Sequence, residues 1–156
     1  ILLSGTSATI VVITETKAQG ANATSKNLTC AWVGDSPLLI WGKESNKDQM
    51  QPFNLPAHKP NVEQERFRIY DNRGEIRTTH DGVQRVFLRA RMYPGYITTR
   101  SIGDLIPHQI GMTSEPHVKT ESIKHTCKFI VLGSSSLYDN LPIPAIVEKI
   151  TEMNIG

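Results

Sequence analysis

The chain lacks several features that would assign it to a specialised class of protein. Its 156 residues include only 2 cysteines and 6% aromatic residues, and no apolar run reaches the roughly 20 residues that cross a membrane. The 17 basic residues nearly balance the 15 acidic ones, so charge favours neither nucleic acid nor an anionic membrane. These absences exclude a disulfide-rich scaffold, a membrane span and a charge-driven nucleic-acid binder, and they leave one ordinary globular domain over residues 1–156.

The scarce cysteines and the start of the chain indicate its compartment. Cys30 and Cys127 lie in apolar, strand-like runs, so we expect buried free thiols in a reducing environment rather than a disulfide. The apolar start ends at Leu3, which is too short for a signal peptide. We therefore expect an intracellular, cytoplasmic protein. Because the first residue is not methionine, we also expect the chain to be part of a larger protein.

What the chain does contain is a series of short β-prone runs, and we predict about seven strands and two helices. Turn residues at 34–37 and at 81–82 predict two hairpins, and the polar stretches 15–26 and 42–51 predict connections. A helix is expected after an N-cap at Asn61, with Gly74 as its C-cap. A second, amphipathic helix is expected over residues 143–153, and residues 102–112 are expected to be irregular or briefly helical. This pattern is typical of an α+β protein with antiparallel sheet.

Residues 129–139, which read FIVLGSSSLYD, form the stretch around which the other segments are organised. Four apolar residues run into glycine and three serines, a pattern that predicts a buried strand ending in a tight turn. Tyr138 is expected to lie in the core. Functional residues often occupy loops at such strand ends.

Short motif-like blocks occur in a fixed order along the chain. They are Ser4-Gly5-Thr6-Ser7-Ala8, Val33-Gly34-Asp35-Ser36, His58-Lys59-Pro60 with the helix after it, Thr99-Arg100-Ser101-Ile102-Gly103-Asp104 with Ser114-Glu115-Pro116, and residues 129–139. Together they resemble the SG(S/C)TA, VGDSR, DHKP, SR(A/S)(L/I)GD…EP and SDG blocks of the metal-dependent protein phosphatases of the protein phosphatase 2C (PP2C) family.

The resemblance implies a sandwich of two antiparallel β-sheets flanked by α-helices, incomplete at its N-terminus because the family's first blocks would precede this chain. It also implies hydrolysis of phosphoserine and phosphothreonine by water activated between two Mg²⁺ or Mn²⁺ ions. Such ions clamp the phosphoryl oxygens and require clustered carboxylates. On this basis no catalytic residue lies in this segment, the missing part of the same domain is needed, and the partner is a phosphoprotein or another protein.

The departures from the family's blocks bear on metal binding. Ser135 stands where the family has the metal-ligating aspartate of SDG, and Ser136 replaces its glycine. A neutral hydroxyl does not supply the charge of a carboxylate at a site for two divalent ions, so we expect metal binding to be weakened greatly. Ala57 replaces the aspartate of DHKP, and Pro37 replaces the arginine of VGDSR.

The resemblance assigns roles to several further residues. Asp35 corresponds to an aspartate near an additional metal, for which Ser135 would be the partner position; the alternative is a turn aspartate that bonds its own backbone. The remaining motif residues are expected to form a scaffold through ion pairs and loop anchors: Gly34, Ser36, Arg100, Gly103, Asp104 and Asp139.

Other polar groups have ordinary interpretations that we favour. The serines at 134–136 lack a GxSxG context, so a serine nucleophile is not favoured. The histidines show no zinc-ligand spacing and are expected at the surface or at helix caps. A basic strip with two tyrosines is either solvated surface or a partner-binding edge. The histidines are His58, His80, His108, His117 and His125, and the strip is Arg85, Arg89, Arg91, Tyr93 and Tyr96.

Three functional hypotheses follow from the sequence. The favoured one is a PP2C-like pseudophosphatase domain that binds or regulates a partner. The second is an active Mg²⁺- or Mn²⁺-dependent serine/threonine phosphatase whose site is completed by segments outside this chain. The third is an unrelated α+β binding module that matches the family by chance.

Overall fold

The computed structural model describes residues 2–17, 24–44, 47–53, 56–123 and 126–153. Within these residues the chain forms eleven strands and four helices. The strands are β1 (Gly5–Thr6), β2 (Ala8–Lys17), β3 (Thr24–Val33), β4 (Leu38–Glu44), β5 (Lys47–Pro52), β6 (Gly74–Thr78), β7 (Gln84–Leu88), β8 (Pro94–Tyr96), β9 (Ile102–Gly103), β10 (His117–Ser122) and β11 (Cys127–Leu132). The helices are α1 (Glu63–Asp71), α2 (Leu105–His108), α3 (Ser135–Asn140) and α4 (Ile143–Glu152).

The described strands form small sheets in which antiparallel pairing predominates. Strand β1 pairs with β9, β4 lies between β11 and β5, and β7 lies between β6 and β8, all antiparallel. A further sheet has the order β10–β3–β2. The predicted α+β class is therefore confirmed.

The chain divides into two compact units. The first consists of Ile1–Ile10, Ala31–Asp35 and Pro56–Val118, and the second of Val11–Cys30, Ser36–Leu55 and Lys119–Gly156. Strands β2, β3 and β10 each have residues in both units.

In the first unit, helix α1 packs on the sheet β6–β7–β8. Ile69 of α1 and Val86 of β7 are fully buried, and they form a core with Ile110 and Met112. The predicted hairpin at 81–82 is confirmed, because β6 and β7 pair across it and Gly82 adopts a φ of +76° that favours glycine.

Both predicted caps of α1 are wrong. The N-cap is Val62, one residue after Asn61, and its side chain makes no capping hydrogen bond. Arg73 takes the left-handed conformation that was expected of Gly74, while Gly74 begins β6 in a buried position. A Cβ at Gly74 would lie 2.5 Å from Ile69 Cγ2, so close packing against the helix requires a glycine there.

In the second unit, β4 is the central strand of its sheet. Trp41 of β4 stacks on Phe129 of β11 with ring centroids 4.9 Å apart. The hairpin predicted across 34–37 is wrong, because β3 and β4 are in different sheets. The connection predicted over 42–51 is wrong as well, since β4 continues to Glu44 and pairs with β5.

The structure of residues 129–139 differs in part from the one predicted for them. Residues 127–132 form strand β11 as expected, but most of its side chains are half-buried and Leu132 is exposed. The serines begin the short helix α3 instead of a simple turn. The amphipathic helix after them is confirmed as α4, with Ile146 buried. Tyr138, expected in the core, is half-buried.

Several smaller predictions are settled by the described residues. Cys30 is a buried free thiol, as expected, whereas Cys127 is free but only half-buried. The brief helix expected within 102–112 is α2. Strand β2 extends to Lys17 and β3 begins at Thr24, so the loop predicted over 15–26 is shorter than expected. Residues 18–23 and His125 lie outside the described part of the chain. No helix in that part has the length and apolar character needed to span a bilayer.

Candidate functional site

Two hydrogen bonds from backbone N–H groups fix the turn after β3, which contains Asp35, the candidate metal position. The Gly34 N–H donates to His58 Nδ1 at 2.9 Å, and the Asp35 N–H donates to Ser7 Oγ at 3.2 Å. Gly34 has a φ of +85°, and a Cβ there would lie 2.4 Å from Ser7 Oγ. The turn therefore needs glycine for both its conformation and the close approach of Ser7.

The carboxylate of Asp35 is paired with an amine from the next motif. Lys59 Nζ lies 2.9 Å from Asp35 Oδ2, with the Asp35 side chain 10% exposed and the Lys59 side chain 45% exposed. Asp35 thus has a cationic partner from its own unit. No local sequence pattern indicates this pair, which joins residues 24 positions apart.

Arg100 lies in a buried ion-pair network centred on Glu65. The Arg100 Nη2–Glu65 Oε1 distance is 2.6 Å, and Arg100 Nε donates to both carboxylate oxygens at 3.1 Å. Arg68 donates to the same carboxylate at 2.5 and 3.0 Å, and Thr99 Oγ1 donates to it at 2.5 Å. Arg100 Nη1 also donates to the Glu115 carbonyl at 2.8 Å, which ties the two parts of the SR…EP block together.

The charge state of Glu65 follows from these contacts. Burial alone would raise the pKa of this carboxyl, but hydrogen bonds from Arg68, Arg100 and Thr99 together hold it well below its ordinary value. The buried guanidinium of Arg100 and the half-buried guanidinium of Arg68 thus share one ionised carboxylate. Glu65 is not among the residues to which motif comparison assigns a role, although its i,i+3 spacing to Arg68 on α1 is a usable signal.

His58, which is buried, and His117, which is half-buried, form a second polar group, so the expectation of a surface or helix-capping position is wrong for His58. His58 is 0% exposed, and its Nε2 lies 3.1 Å from His117 Nδ1. Because Nδ1 of His58 accepts the Gly34 N–H, its ring proton is on Nε2 and faces His117 Nδ1. Arg100 Nη2, which can only donate, lies 3.2 Å from His117 Nε2, so the neutral His117 ring accepts a hydrogen bond from either His58 or Arg100.

The surroundings keep both imidazoles neutral. Burial, followed by the positive charge of Arg100, lowers the pKa of His58 to about 4. The same two causes, in the same order, lower the pKa of His117. The Trp32 ring stacks on His58 with ring centroids 6.0 Å apart and packs edge-on against His117 at 5.5 Å, which supplies the apolar environment.

Asp104 anchors the first residues of the chain. It is 2% exposed, adopts a left-handed φ of 49°, and donates its N–H to the Ser4 carbonyl at 3.0 Å. Its carboxylate accepts from Tyr96 Oη at 2.5 Å, and burial together with this carboxylate raises the pKa of Tyr96 to about 12. Gly103 has a φ of +92°, and a Cβ there would lie 2.5 Å from the Ser4 carbonyl.

Ser135, the position of the missing carboxylate, lies in the second unit. It is the first residue of α3 and is half-buried. Tyr138 holds the start of this helix, because its hydroxyl donates to the Val131 carbonyl at 3.2 Å and is 3.3 Å from the Pro37 carbonyl. Asp139 is exposed on the same helix. Ser36 also belongs to this unit, whereas Asp35 belongs to the first.

The three serines at 134–136 have no basic or acidic partner of the kind that activates a nucleophile. Among the described side chains, no histidine, aspartate or glutamate is hydrogen-bonded to Ser134, Ser135 or Ser136.

The donor groups present do not fit a divalent metal ion. In the part of the chain that the structure covers, no group of three or more histidine, cysteine, aspartate or glutamate side chains is arranged to hold one. Asp35 is paired with Lys59, and Ser135 offers only a neutral hydroxyl. Mg²⁺ and Mn²⁺ require several oxygen ligands with compensating negative charge.

The basic strip is only partly available for binding. Arg85 pairs with Asp81 at 2.7 Å, and Tyr96 is bound to Asp104. Arg89, Arg91 and Tyr93 remain exposed, beside Met92, whose side chain is 79% exposed.

The fold and the motif geometry define the class of this protein as an α+β domain built on the blocks of a metal-dependent phosphatase. A sequence model of protein phosphatase 2C matches residues 1–154, and the chain belongs to that family. It is 30% identical over 132 residues to "Probable protein phosphatase 2C 14" of Oryza sativa subsp. japonica, covering 81% of this chain and 25% of that protein. It is 31% identical over 127 residues to "Probable protein phosphatase 2C 1" of Arabidopsis thaliana, covering 80% and 27%.

A solved structure shows the same fold. The serine-threonine phosphatase 2C from Toxoplasma gondii superposes with a TM-score of 0.68 at 18% identity, covering 80% of this chain and 44% of that one. The chain spans about a quarter of the length of the two plant relatives.

Proposed function

We propose that this protein phosphatase 2C domain is a pseudophosphatase that acts as a binding or regulatory module. The observation that carries the proposal is Ser135, at the position where the family's blocks have a metal-ligating aspartate. Two divalent ions bring four positive charges to a site, and each lost carboxylate removes part of the compensation they need.

A module that binds without hydrolysis still needs a stable surface. The buried network around Glu65 joins the motif loops through side-chain hydrogen bonds, which supports a folded scaffold. The exposed Arg89, Arg91 and Tyr93 would favour an acidic protein segment or a phosphoprotein as partner. Neither Mg²⁺ nor Mn²⁺ is needed for such binding.

The alternative is an active Mg²⁺- or Mn²⁺-dependent phosphatase that hydrolyses phosphoserine and phosphothreonine. The match to the family over residues 1–154 favours it, together with the family's dependence on metal ions. In that case carboxylates from segments outside this chain would complete the site, and Ser135 would be tolerated.

Calorimetric titration of the full-length protein with MnCl₂ separates these two functions. We expect no saturable binding by the wild type and a gain of binding in Ser135→Asp, since a carboxylate replaces the hydroxyl. Ser136→Asp is the matched control, because it adds the same charge one residue further along α3, and it should gain nothing. Micromolar Mn²⁺ binding by the wild type would contradict the pseudophosphatase proposal.

A further inference from the structure

The turn between β7 and β8 carries positive charge that is not compensated within its sheet. Residues 74–96, which form the sheet β6–β7–β8 and its turns, contain four arginines and two carboxylates, a net charge of +2 that equals that of the whole chain. No carboxylate in the described ranges is paired with Arg89 or Arg91. The two carboxylates of the sheet already pair with its other arginines, Asp81 with Arg85 at 2.7 Å and Glu75 with Arg77 at 3.5 Å.

The arginine loop, which we define as residues 89–93, is held in one conformation by its own backbone. The Arg91 N–H donates to the Leu88 carbonyl at 2.9 Å, and the Leu88 N–H donates to the Tyr93 carbonyl at 2.9 Å. A binding loop that is fixed in advance loses less conformational entropy when a partner binds.

Two side chains of β6 hold the arginine loop in addition. Glu75 accepts the Ala90 N–H at 3.2 Å, and Arg77 donates to the Arg91 carbonyl. Arg77 Nη1 also lies 3.2 Å from Met92 Sδ. The charged groups of β6 are therefore used to fix the loop, while the loop's own arginine side chains are exposed.

Large apolar side chains are exposed beside these arginines. Met92 is 79% exposed, the highest fraction among the exposed large apolar residues of the described chain, and Tyr93 is 48% exposed. Arginine, tyrosine and methionine are enriched at protein–protein interfaces, and the flexible methionine side chain adapts to its partner. A loop that combines them fits a protein segment with both acidic and apolar residues.

We propose that the arginine loop is a docking surface for an acidic segment of a partner protein. Arg89 and Arg91 pair with carboxylates of that segment, and Met92 and Tyr93 cover an apolar side chain between them. The inference rests on the proposed function, since it names the partner class of the binding module. Sites for anionic membranes have about four to eight basic residues, so two arginines beside apolar side chains fit a peptide better.

Fluorescence anisotropy with the full-length protein tests this docking surface. The probe is a labelled peptide of alternating aspartate and glutamate around one central leucine. Two matched peptides replace all its acidic residues by their amides, or its leucine by glycine. We expect the wild type to bind the acidic leucine peptide most tightly, and the affinity to fall with rising salt because exposed charges are screened.

Matched substitutions separate the arginine loop from the rest of the surface. Arg89→Gln and Arg91→Gln should each weaken peptide binding about fivefold, whereas Arg66→Gln, at an exposed arginine of α1, should leave it unchanged. Met92→Gln should weaken binding about threefold, and Met153→Gln, at a side chain that is 67% exposed, should not. Because all five side chains are exposed, the melting temperatures should equal that of the wild type.

The outcomes decide between this partner and others. Equal affinity for the acidic and amide peptides would overturn the proposal, as would equal losses in Arg91→Gln and Arg66→Gln. Tighter binding to phosphatidylserine vesicles than to the peptide would overturn it in favour of a membrane surface. Tighter binding to a peptide with a central phosphoserine would overturn it in favour of phosphate as the ligand.

One measurement needs no substitution in the arginine loop. In spectra of the protein labelled at its methionine methyl groups, the Met92 resonance should shift when the acidic peptide is added, and the Met153 resonance should not. A shift at Met153 without one at Met92 would overturn the proposal.

Failure of this inference is distinguishable from failure of the proposed function. Manganese-dependent phosphate release by a wild type that binds the acidic peptide would contradict the pseudophosphatase assignment and leave the docking surface intact. An inactive wild type that does not bind the peptide would overturn only the docking surface.

Discussion

Glu65 is the residue that balances the buried charge of the first unit. Its carboxylate, 1% exposed, receives hydrogen bonds from Arg68, Thr99 and Arg100. A buried ion network of this kind adds little net stability compared with apolar packing, but removing one member leaves the others without compensation. A small chemical change at Glu65 should therefore have a large effect on the stability of the folded protein.

Glu65→Gln should lower the free energy of unfolding by about 3–5 kcal/mol, because the Arg100 guanidinium would remain buried without its carboxylate. Urea denaturation of the full-length protein measures the loss. Glu152→Gln is the control, since it removes a carboxylate from the exposed pair with Lys149 and should cost under about 1 kcal/mol. Equal effects of the two substitutions would show that the buried network does not carry this charge balance.

At the residue scale, motif comparison located some site residues and missed others for a physical reason. Ser135 and Asp35 stand in short blocks whose order and composition can be read directly. The partners of Asp35, namely Lys59 and Ser7, are 24 and 28 positions away, and only the folded chain brings them together. Hydrogen bonds between residues so far apart leave no local pattern in the sequence.

At the element scale, the contact between His58 and His117 connects the segment before α1 to the start of β10. His58 Nε2 lies 3.1 Å from His117 Nδ1, while the bond from the Gly34 N–H requires an unprotonated Nδ1 on His58. Protonation of His58 would put a hydrogen on that acceptor and break the bond to Gly34. The link between these elements therefore depends on pH.

The stability of the protein should fall as the pH is lowered from about 6.5 to about 4. The pKa of His58 is about 4 in the folded state, below its ordinary value of about 6.5, so in this window the unfolded chain binds a proton that the folded chain does not. The His58 contribution is about 3 kcal/mol, present above this window and lost below it. Urea denaturation across this pH range measures the change.

Two asparagine substitutions provide the comparison for this pH effect. His58→Asn should flatten the pH dependence, because the amide oxygen still accepts from Gly34 but does not titrate. His80→Asn is the control, since His80 is exposed and has no part in the network, and it should retain the wild-type slope. If the free energy of unfolding depends on pH in His58→Asn as it does in the wild type, His58 is not the source of the pH dependence.

Elements with a clear local signal were predicted, and elements defined by distant pairing were not. The apolar stripe of α4 and the turn residues before β7 are local features, and both elements form as expected. The turn residues at 34–37 indicate a turn but not which strands pair, and β4 instead pairs with β11, some 90 residues later in the chain. Strand β5 lacks the alternation of apolar and polar residues that marks a strand.

At the scale of the whole molecule, family and activity are separate questions. The chain belongs to the protein phosphatase 2C family and has its α+β fold, yet the described residues provide no cluster of carboxylates for metal ions. A fold can be kept while the charged groups required for chemistry are lost. In the described residues the Glu65 carboxylate is paired with Arg68 and Arg100, and the Asp35 carboxylate is paired with Lys59.

Phosphate release from a phosphothreonine peptide by the full-length protein, measured with MnCl₂ and again after chelation, tests the central claim most directly. The account predicts no release above the buffer in either condition, with the purified protein folded as judged by a cooperative melt. Mn²⁺-dependent release by the wild type that disappears on chelation would contradict it, and would show that this domain is an active phosphatase despite Ser135.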